Sequence, residues 1–390
     1  MQIQKILSKS LLLAALLWSS SESITFEEYK RSQQIEFSKQ KKAFQNYKKE
    51  QQEAFKNYKK ELEKYWKDPL TNTKKRIVNY SKDQKSRTII DFEKNDLTLQ
   101  TIAKNQKEAR EKLALALAKA ATFTNRDFYT HDKLQQQLSR IEKKHHIPQT
   151  KIDTKPVLAP IFFKKKATKE SLSKLIHKEI KPKNIKEKNA PKQKDEKIYT
   201  IQIKLPKNST IKRSAIYYND VHNAAKKEQL PIPLIFAIMH TESSFNPMAR
   251  SYVPAYGLMQ IVPKTAGVDA YYYLYREKRL VGSSFLYNTH NNIRMGSAYL
   301  HLLYYRYLKH IKNPTSRLYC TIAAYNTGAG NVARAFGNTT NTYQAAKVIN
   351  RLSPQEVYER LLKDLRYEEP KKYLKNVTKR VEIYKKIYES

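Results

Sequence analysis

Glycine is distributed very unevenly in this 390-residue chain, because all seven glycines lie between Gly257 and Gly337. Glycine has no Cβ, so a chain uses it where the backbone turns with a positive φ or passes close to another group. A chain that avoids glycine elsewhere has kept it where geometry requires it. We therefore expect the functional site to lie in this window.

The chain is also strongly basic, with 75 Lys and Arg against 36 Asp and Glu and a formal net charge of +39. Such a charge attracts polyanions, which include nucleic acid, an anionic membrane face and an acidic cell-wall polymer. Lys, Asn, Ile and Tyr are abundant while Gly is scarce, so part of the charge is also explained by genomic compositional bias. Charge alone does not select a partner.

The first residues predict export. Lys5 and Lys9 precede an apolar run over residues 11–18, and small residues follow at 19–23, which is the order of a cleaved signal peptide over residues 1–23. A retained anchor is the alternative. The one cysteine is Cys320, so neither an intrachain disulfide nor a lipid-carrying cysteine near the signal is expected. The predicted location is the periplasm or cell envelope without a lipid anchor, which argues against a nucleic-acid partner.

Residues 24–68 predict a polar amphipathic helix with an 11-residue repeat, in which AFQNYKKE at 43–50 returns as AFKNYKKE at 54–61. Eleven residues make about three helical turns. The repeat therefore places an aromatic and leucine stripe on one side of the helix, at Phe44, Tyr47, Phe55, Tyr58 and Leu62. The stripe packs either against the following domain or against a partner.

Residues 69–163 predict a small α+β module. Alternating or β-branched runs at 76–80, 87–92 and 97–102 predict strands, and the alanine- and leucine-rich stretch 106–121 predicts a helix. A run at 198–205 is a candidate for a further strand of the same sheet. Between them, residues 164–197 are rich in lysine and poor in large apolar residues, which is typical of a solvated linker or a long excursion rather than of a core.

Residues 206–390 predict a succession of helices, so the expected fold class is α+β with a mainly helical C-terminal domain. We expect Asn291 and Asn292 to cap one of these helices. In that helix a core-facing stripe is predicted at i, i+3, i+4, i+7 and i+8, formed by Leu300, Leu303, Tyr304, Tyr307 and Leu308.

One carboxylate lies on an apolar helix face. The helix is predicted to open at Pro231 and Pro233, and its apolar face contains Ile235, Ile238, Met239 and Glu242. Pro247 ends the helix soon after Glu242. Apolar surroundings and the negative end of a helix dipole both favour the protonated carboxyl, which a general acid needs. Taken alone, a glutamate near a helix end is most often solvated or salt-bridged.

Three motifs in a fixed order favour a functional role for Glu242 over a solvated or salt-bridged one. The motifs are TESSFNP at 241–247, YGLMQIVPKTAG at 256–267 and AAYNTGAG at 323–330. They resemble the catalytic domain of the lytic murein transglycosylases, lysozyme-like enzymes that cut the glycan strand of peptidoglycan. The segments 86–92, 313–317, 344–358 and 369–373 are similar to the membrane-bound lytic transglycosylase C branch of that family. The resemblance covers nearly the whole chain from about residue 70, the linker excepted.

The resemblance implies roles for individual residues. Glu242 matches the catalytic acid/base of the family. The positions implied to bind substrate or shape its site are Ser251, Gln260, Tyr325, Asn326, Glu369 and Tyr373. Without the motifs, a serine or glutamine in a turn is usually solvated, and a tyrosine such as Tyr325 is as often a core residue. This chain departs from its relatives at Val262, where some have methionine, and at Pro370, where a smaller polar residue is usual.

The implied reaction needs one carboxylate, whereas ordinary glycosidases use two. Protonated Glu242 would donate to the oxygen between N-acetylmuramic acid and N-acetylglucosamine, and the muramyl C6 hydroxyl would then close a 1,6-anhydro ring. No cofactor is implied, and no metal is expected, because His145 and His146 lack metal-ligand spacing. Two alternatives stay open: a muramidase that uses water, and a non-catalytic wall-binding protein.

Overall fold

A computed structural model of the protein describes residues 45–252 and 254–389, so the predicted signal peptide and Phe44 lie outside the described residues. The N-terminal part begins with helix α1 over residues 45–62. The strands of this part are β1 (Arg76–Tyr80), β2 (Ser86–Asp91), β3 (Asp96–Ala103), β4 (Lys186–Asn189) and β5 (Lys197–Lys204). The helices between β3 and β4 are α2 (Gln106–Thr122), α3 (Asn125–His131), α4 (Lys133–Lys144), α5 (Ala159–Phe162) and α6 (Lys169–Glu179).

The remainder of the chain is helical. Its first helices are α7 (Ser209–Ala215), α8 (Tyr218–Glu228), α9 (Ile232–Ser243), α10 (Ala266–Tyr275), α11 (Ser283–Tyr287) and α12 (Thr289–His301). A π-helical stretch, Leu302–Tyr307, continues α12. The last helices are α13 (Pro314–Thr327), α14 (Ala329–Arg334), α15 (Thr342–Ile349), α16 (Pro354–Asp364) and α17 (Glu368–Tyr388). The α+β fold class with a mainly helical C-terminal domain is confirmed.

The five strands form one antiparallel sheet in the order β1-β2-β3-β5-β4. The first three strands occupy the positions that alternation predicts. The run predicted at 198–205 forms β5, which pairs with β3 along its whole length. Leu97 and Leu99 of β3 and Ile201 of β5 are buried in the main core. The sheet of the N-terminal module is thus completed by β5, a strand that comes at the end of the lysine-rich segment in the sequence.

The stripe of α1 packs against the module. Tyr58 and Leu62 are buried in a small core with Trp66, Val78 and Tyr80. At the helix surface the Glu50 carboxylate pairs with the ammonium group of Lys144 at 2.9 Å, and Glu61 pairs with Lys133 at 2.5 Å. Burial of the aromatic face provides the larger stabilisation, since exposed ion pairs contribute little.

The lysine-rich segment 164–197 differs from the solvated linker that its composition predicts, since it contains α6 and β4. Neither element contributes a fully buried residue: α6 packs Leu175 and Ile176 partly against the main core, and all four residues of β4 are exposed. Thr168 and Ser171 form a capping box that starts α6, and β4 gains its hydrogen bonds by pairing with β5. Charged side chains on such an edge strand oppose further strand pairing.

The predicted capping of α12 is wrong in detail. The N-cap is Asn288, whose side chain accepts a hydrogen bond from the Asn291 backbone at 3.1 Å. The leucines of the predicted core stripe are buried as expected, but Tyr307 is 40% exposed. The π-helical stretch explains the difference, because one extra residue in a turn rotates the later residues about the helix axis.

In the C-terminal domain, α9 packs along α17, and together with the flanking helices they bury a large apolar core. Every residue of α9 from Pro233 to Met239 is buried. No helix within residues 45–252 and 254–389 is both long enough and apolar enough to cross a bilayer.

Candidate active site

Glu242 occupies the last turn of α9, as predicted. The helix begins after Pro231 and ends at Ser244, which adopts a left-handed conformation with φ of 51°. The proline at the start fixes φ without costing a helical hydrogen bond. The Glu242 side chain is only 6% exposed. The sequence spacing therefore places one carboxyl in an almost dry position at a helix end.

The surroundings of Glu242 favour its protonated form. Burial raises the pKa of this carboxyl from 4.5 to about 7. The positive charges of Lys74 and Lys75 oppose the rise, as does the Tyr373 hydroxyl, while the carboxylate of Glu369 adds to it. A carboxyl with a pKa near the working pH can both give and accept a proton, which suits general acid–base chemistry.

Glu242 opens into a cleft between the N-terminal module and the C-terminal helices. The residues that line it are Lys74, Lys75, Thr241, Glu242, Asn326, Glu368, Glu369, Lys372, Tyr373 and Asn376. The predicted residues Asn326, Glu369 and Tyr373 thus come together around the predicted acid. Glu369 is largely exposed and pairs with the Lys74 ammonium group at 3.7 Å. Glu368 pairs with Lys371 at 2.8 Å.

The glycine-rich turn at 257–260 is built around Asn292. Gly257 has φ of +75°, and a Cβ placed there would lie 2.3 Å from the Asn292 side-chain nitrogen, so only glycine fits. The fully buried Asn292 side chain donates to the carbonyls of Tyr256 and Leu286 and accepts from the Met259 backbone, each at 2.8 Å. Its three hydrogen bonds fix the turn.

Tyr325 and Gln260 meet at this turn. The Tyr325 hydroxyl donates to the Met259 carbonyl at 2.8 Å, and burial together with the neighbouring Glu242 raises the pKa of Tyr325 well above its usual value. The Gln260 amide nitrogen donates to the Gly257 carbonyl at 3.1 Å. Its amide oxygen is buried and accepts no hydrogen bond from the described residues. A side chain held in this way leaves an acceptor ready for a ligand donor.

Ser251 lies farther along the loop that follows α9. Its hydroxyl accepts a hydrogen bond from the Ala255 backbone at 3.0 Å, and its own backbone N–H donates to the Ala255 carbonyl at 3.2 Å. Ser251 is not among the described residues that line the cleft. These two hydrogen bonds join Ser251 to Ala255.

Sequence reasoning does not find the lysines of the cleft or the role of Asn292. Lys74 and Lys75 precede β1 in a different part of the chain, and no motif connects them to the catalytic helix. The sequence presents Asn292 only as a candidate capping residue. The packing of the module against the C-terminal domain shows the lysines, and the contacts within the C-terminal domain show the role of Asn292.

Within residues 45–252 and 254–389, no cluster of three or more His, Cys, Asp or Glu side chains has the arrangement of a metal site. His145 lies near Glu50, with its Nε2 atom 3.3 Å from the carboxylate, and packs on the Tyr47 ring. The side chains that line the cleft include carboxyls, amides, lysines and the tyrosine Tyr373.

The fold and the buried acid define the class of protein. Residues 220–348 match the family model of the transglycosylase SLT domain, and residues 34–215 match that of the membrane-bound lytic murein transglycosylase C N-terminal domain. The chain therefore combines a match to the SLT domain with a match, earlier in the sequence, to this N-terminal domain.

Individual relatives agree with the family models. Membrane-bound lytic murein transglycosylase C of Salmonella typhimurium is 42% identical over 192 residues, which cover 48% of this chain and 52% of the relative. The same enzyme of Klebsiella pneumoniae is 42% identical over 189 residues, with the same coverage. The chain is thus similar to the membrane-bound lytic murein transglycosylase C family, and it matches about half the length of these relatives.

Among solved structures, the 70 kDa soluble lytic transglycosylase of Escherichia coli is 22% identical, with a TM-score of 0.35 over 46% of this chain and 28% of that chain. A complex of the 70 kDa soluble enzyme with bulgecin A is 24% identical, with the same TM-score over 46% of this chain and 26% of that one.

Proposed function

We propose that this protein is a lytic transglycosylase that cleaves the β-1,4 bond between N-acetylmuramic acid and N-acetylglucosamine in peptidoglycan. The observation that supports the proposal most directly is Glu242, a nearly buried carboxyl with its pKa raised to about 7, at the base of an open cleft. The similarity of the chain to this family supports the same activity.

The proposed reaction uses Glu242 twice. Its proton passes to the glycosidic oxygen as the bond from that oxygen to the muramyl C1 breaks, and the acetamide group of the sugar stabilises the electron-poor carbon. The Glu242 carboxylate then takes the proton of the muramyl C6 hydroxyl, whose oxygen forms a new bond to C1. The product carries a 1,6-anhydro end, the acid is restored, and no water is consumed.

The other site residues have supporting roles in this proposal. Tyr325 and Tyr373, both close to Glu242, would contact the reacting sugar, and Gln260 would accept a hydrogen bond from substrate through its unpaired amide oxygen. Asn326 and Glu369 would shape the cleft. Ser251 would act indirectly, by holding the loop between α9 and the glycine-rich turn.

A hydrolytic muramidase is the rival with some structural support, because the cleft contains two further carboxylates, Glu368 and the one that acts on the Glu242 pKa, Glu369. The exposure of Glu369 and its pairing with Lys74 make it a poor base for activating water. Mass spectrometry of fragments released from purified sacculi distinguishes the two reactions. We expect anhydro ends, one water lighter than reducing ends, and a product mixture of reducing ends would refute the proposal. Sacculi that bind the protein without releasing fragments would indicate a wall-binding protein.

We also propose that the protein works in the periplasm or cell envelope after export through residues 1–23, and that its basic surface binds envelope anions. The lysine-rich segment 164–197 contributes 13 lysines against five acidic residues, and Lys164, Lys165 and Lys166 are all exposed. Interactions of this kind are screened by salt.

Binding to sacculi should therefore weaken with salt. We expect the affinity of the Glu242→Gln variant, used to prevent digestion, to fall about tenfold or more between low and physiological ionic strength. Glutamine at positions 164, 165 and 166 should reduce both the affinity and its salt dependence. A pelleting assay measures both, and an affinity indifferent to salt would exclude the electrostatic contribution.

A further inference from the structure

The N-terminal module forms hydrogen bonds with the segment that directly follows the catalytic helix. The Asn246 side-chain nitrogen donates to the carbonyls of Thr73 and Lys74, each at 3.2 Å. The Arg250 backbone N–H donates to the Thr73 carbonyl at 3.4 Å. The Lys75 ammonium group donates to the Ser244 hydroxyl at 3.1 Å. Three consecutive residues of the module are thus bound to the segment that begins two residues after Glu242.

The same three-residue segment brings two positive charges into the cleft. Lys75 is mostly buried and lies 3.5 Å from the Glu93 carboxylate, which helps to keep it charged. Lys74 is more open, with 38% of its side chain exposed, and its partner Glu369 is 72% exposed. A pair so exposed is weak, so the Lys74 charge is not neutralised.

The groups that face Glu242 come from three elements: Lys74 and Lys75 from the module, Glu369 and Tyr373 from α17, and Tyr325 from α13. Lys74 and Lys75 are the two positive charges that lower the Glu242 pKa, and Glu368 and Lys372 of α17 line the same cleft. When Glu242 gives up its proton it becomes an anion in a nearly dry position, where an unpaired charge is costly. A fixed cation nearby lowers that cost at the moment the charge appears.

We propose that Lys74 and Lys75 are positioning residues of the active site, which hold the chain after Glu242 and stabilise the carboxylate that Glu242 becomes on donating its proton. The N-terminal module is then a component of the catalytic centre as well as a neighbouring domain. This inference rests on the proposed transglycosylase function.

The test is the pH dependence of strand cleavage for Lys74→Met, a variant at a partly exposed position that should fold normally. In the wild type, kcat/KM should fall above about pH 7, because the free enzyme must hold its proton on Glu242. Removing the Lys74 charge removes an influence that lowers the Glu242 pKa. The descending limb should therefore move to higher pH by about half a unit to one unit, and the low-pH kcat should fall about tenfold.

Matched variants separate this role from others. Lys74→Arg keeps the charge, so its kcat and the descending limb of its pH profile should equal those of the wild type. Lys82→Met, at an exposed lysine of the module away from the cleft, should also match the wild type. Lys75→Met should act in the same direction as Lys74→Met, and Lys75→Arg should restore activity.

Two results would overturn the inference. One is a Lys74→Met profile that superimposes on that of the wild type. The other is a raised KM while the descending limb of the pH profile stays at the wild-type pH, which would assign Lys74 to substrate binding. The proposed function fails separately, if the wild-type protein itself releases no anhydro-ended fragments.

Discussion

Glu242→Gln should abolish cleavage of peptidoglycan strands while leaving the fold intact. Glutamine has nearly the same shape but can neither donate the first proton nor accept the second, and general acid–base catalysis typically contributes 10²–10⁴-fold. Because one carboxyl performs both steps in the proposed reaction, we expect a loss of about 10³-fold or more in released fragments. Glu277→Gln, at an exposed glutamate of the same domain, is the matched control and should retain full activity.

The same variant should be more stable than the wild type at alkaline pH. Burial raises the Glu242 pKa from 4.5 to about 7, so the native state keeps a proton that the unfolded chain releases. The free energy of unfolding of the wild type therefore falls as pH rises between these values. At pH 8 we expect the glutamine variant to exceed the wild type by about 2–3 kcal/mol, and below about pH 4 the difference should vanish.

Denaturant titrations at pH 4 and pH 8 measure this stability difference. An inactive variant that is less stable at both pH values would mean that the substitution had damaged the fold. A variant that is fully active would refute the assignment of Glu242 as the acid.

Asn292→Ala should both destabilise the protein and impair cleavage. The substitution removes a hydrogen bond from the carbonyls of Tyr256 and Leu286 and from the N–H of Met259 in a buried region, and the Tyr256 carbonyl keeps only its bond from the Ile261 N–H. Each unsatisfied buried group costs about 1–3 kcal/mol, so we expect a loss of about 3 kcal/mol or more in the free energy of unfolding. The turn that carries Gln260 loses its support, and cleavage should fall at least about tenfold.

Asn291→Ala is the control for this prediction, since it alters the neighbouring residue of the same helix without touching the three hydrogen bonds. It should stay within about 0.5 kcal/mol of the wild type. Equal effects of the two substitutions, measured by chemical denaturation and by fragment release, would contradict the role assigned to Asn292.

The catalytic helix could be predicted from sequence because the residues that determine it lie close together in the chain. The prolines at 231 and 233, the apolar residues at helical spacing and Pro247 determine where the helix starts, which face is buried and where it ends. The burial of Glu242 follows from its place on that face. The first three strands were predictable for the same reason, since alternation identifies which side of a strand is buried.

Asn292 shows where local reasoning fails. Asparagine is a common N-cap, and Asn288, Asn291 and Asn292 all lie near the start of α12. Which of them caps the helix depends on the backbone path, and the one that points inward is determined by the turn at 257–260, more than thirty residues earlier. The π-helical stretch at 302–307 is a second example, because the even spacing of the stripe gives no sign of an extra residue in the turn.

The contribution of the module to the cleft is also non-local. Lys74 and Lys75 belong to a chain with abundant lysine, so neither composition nor spacing distinguishes them from the exposed lysines around them. Their importance arises from contacts with residues about 170 positions later. The motifs predicted the acid, and only the packing of the two parts showed which cations face it.

The position of β5 in the sheet has a consequence for biogenesis. Strand β3 finds one of its two partners only after residues 197–204 have been made, so a nascent chain that has reached residue 190 still presents an open β3 edge with Leu97 and Leu99 beside it. Such an edge is prone to pair with other chains. A recombinant fragment that stops before residue 197 should therefore be insoluble, and expression boundaries for the N-terminal part must lie beyond Lys204.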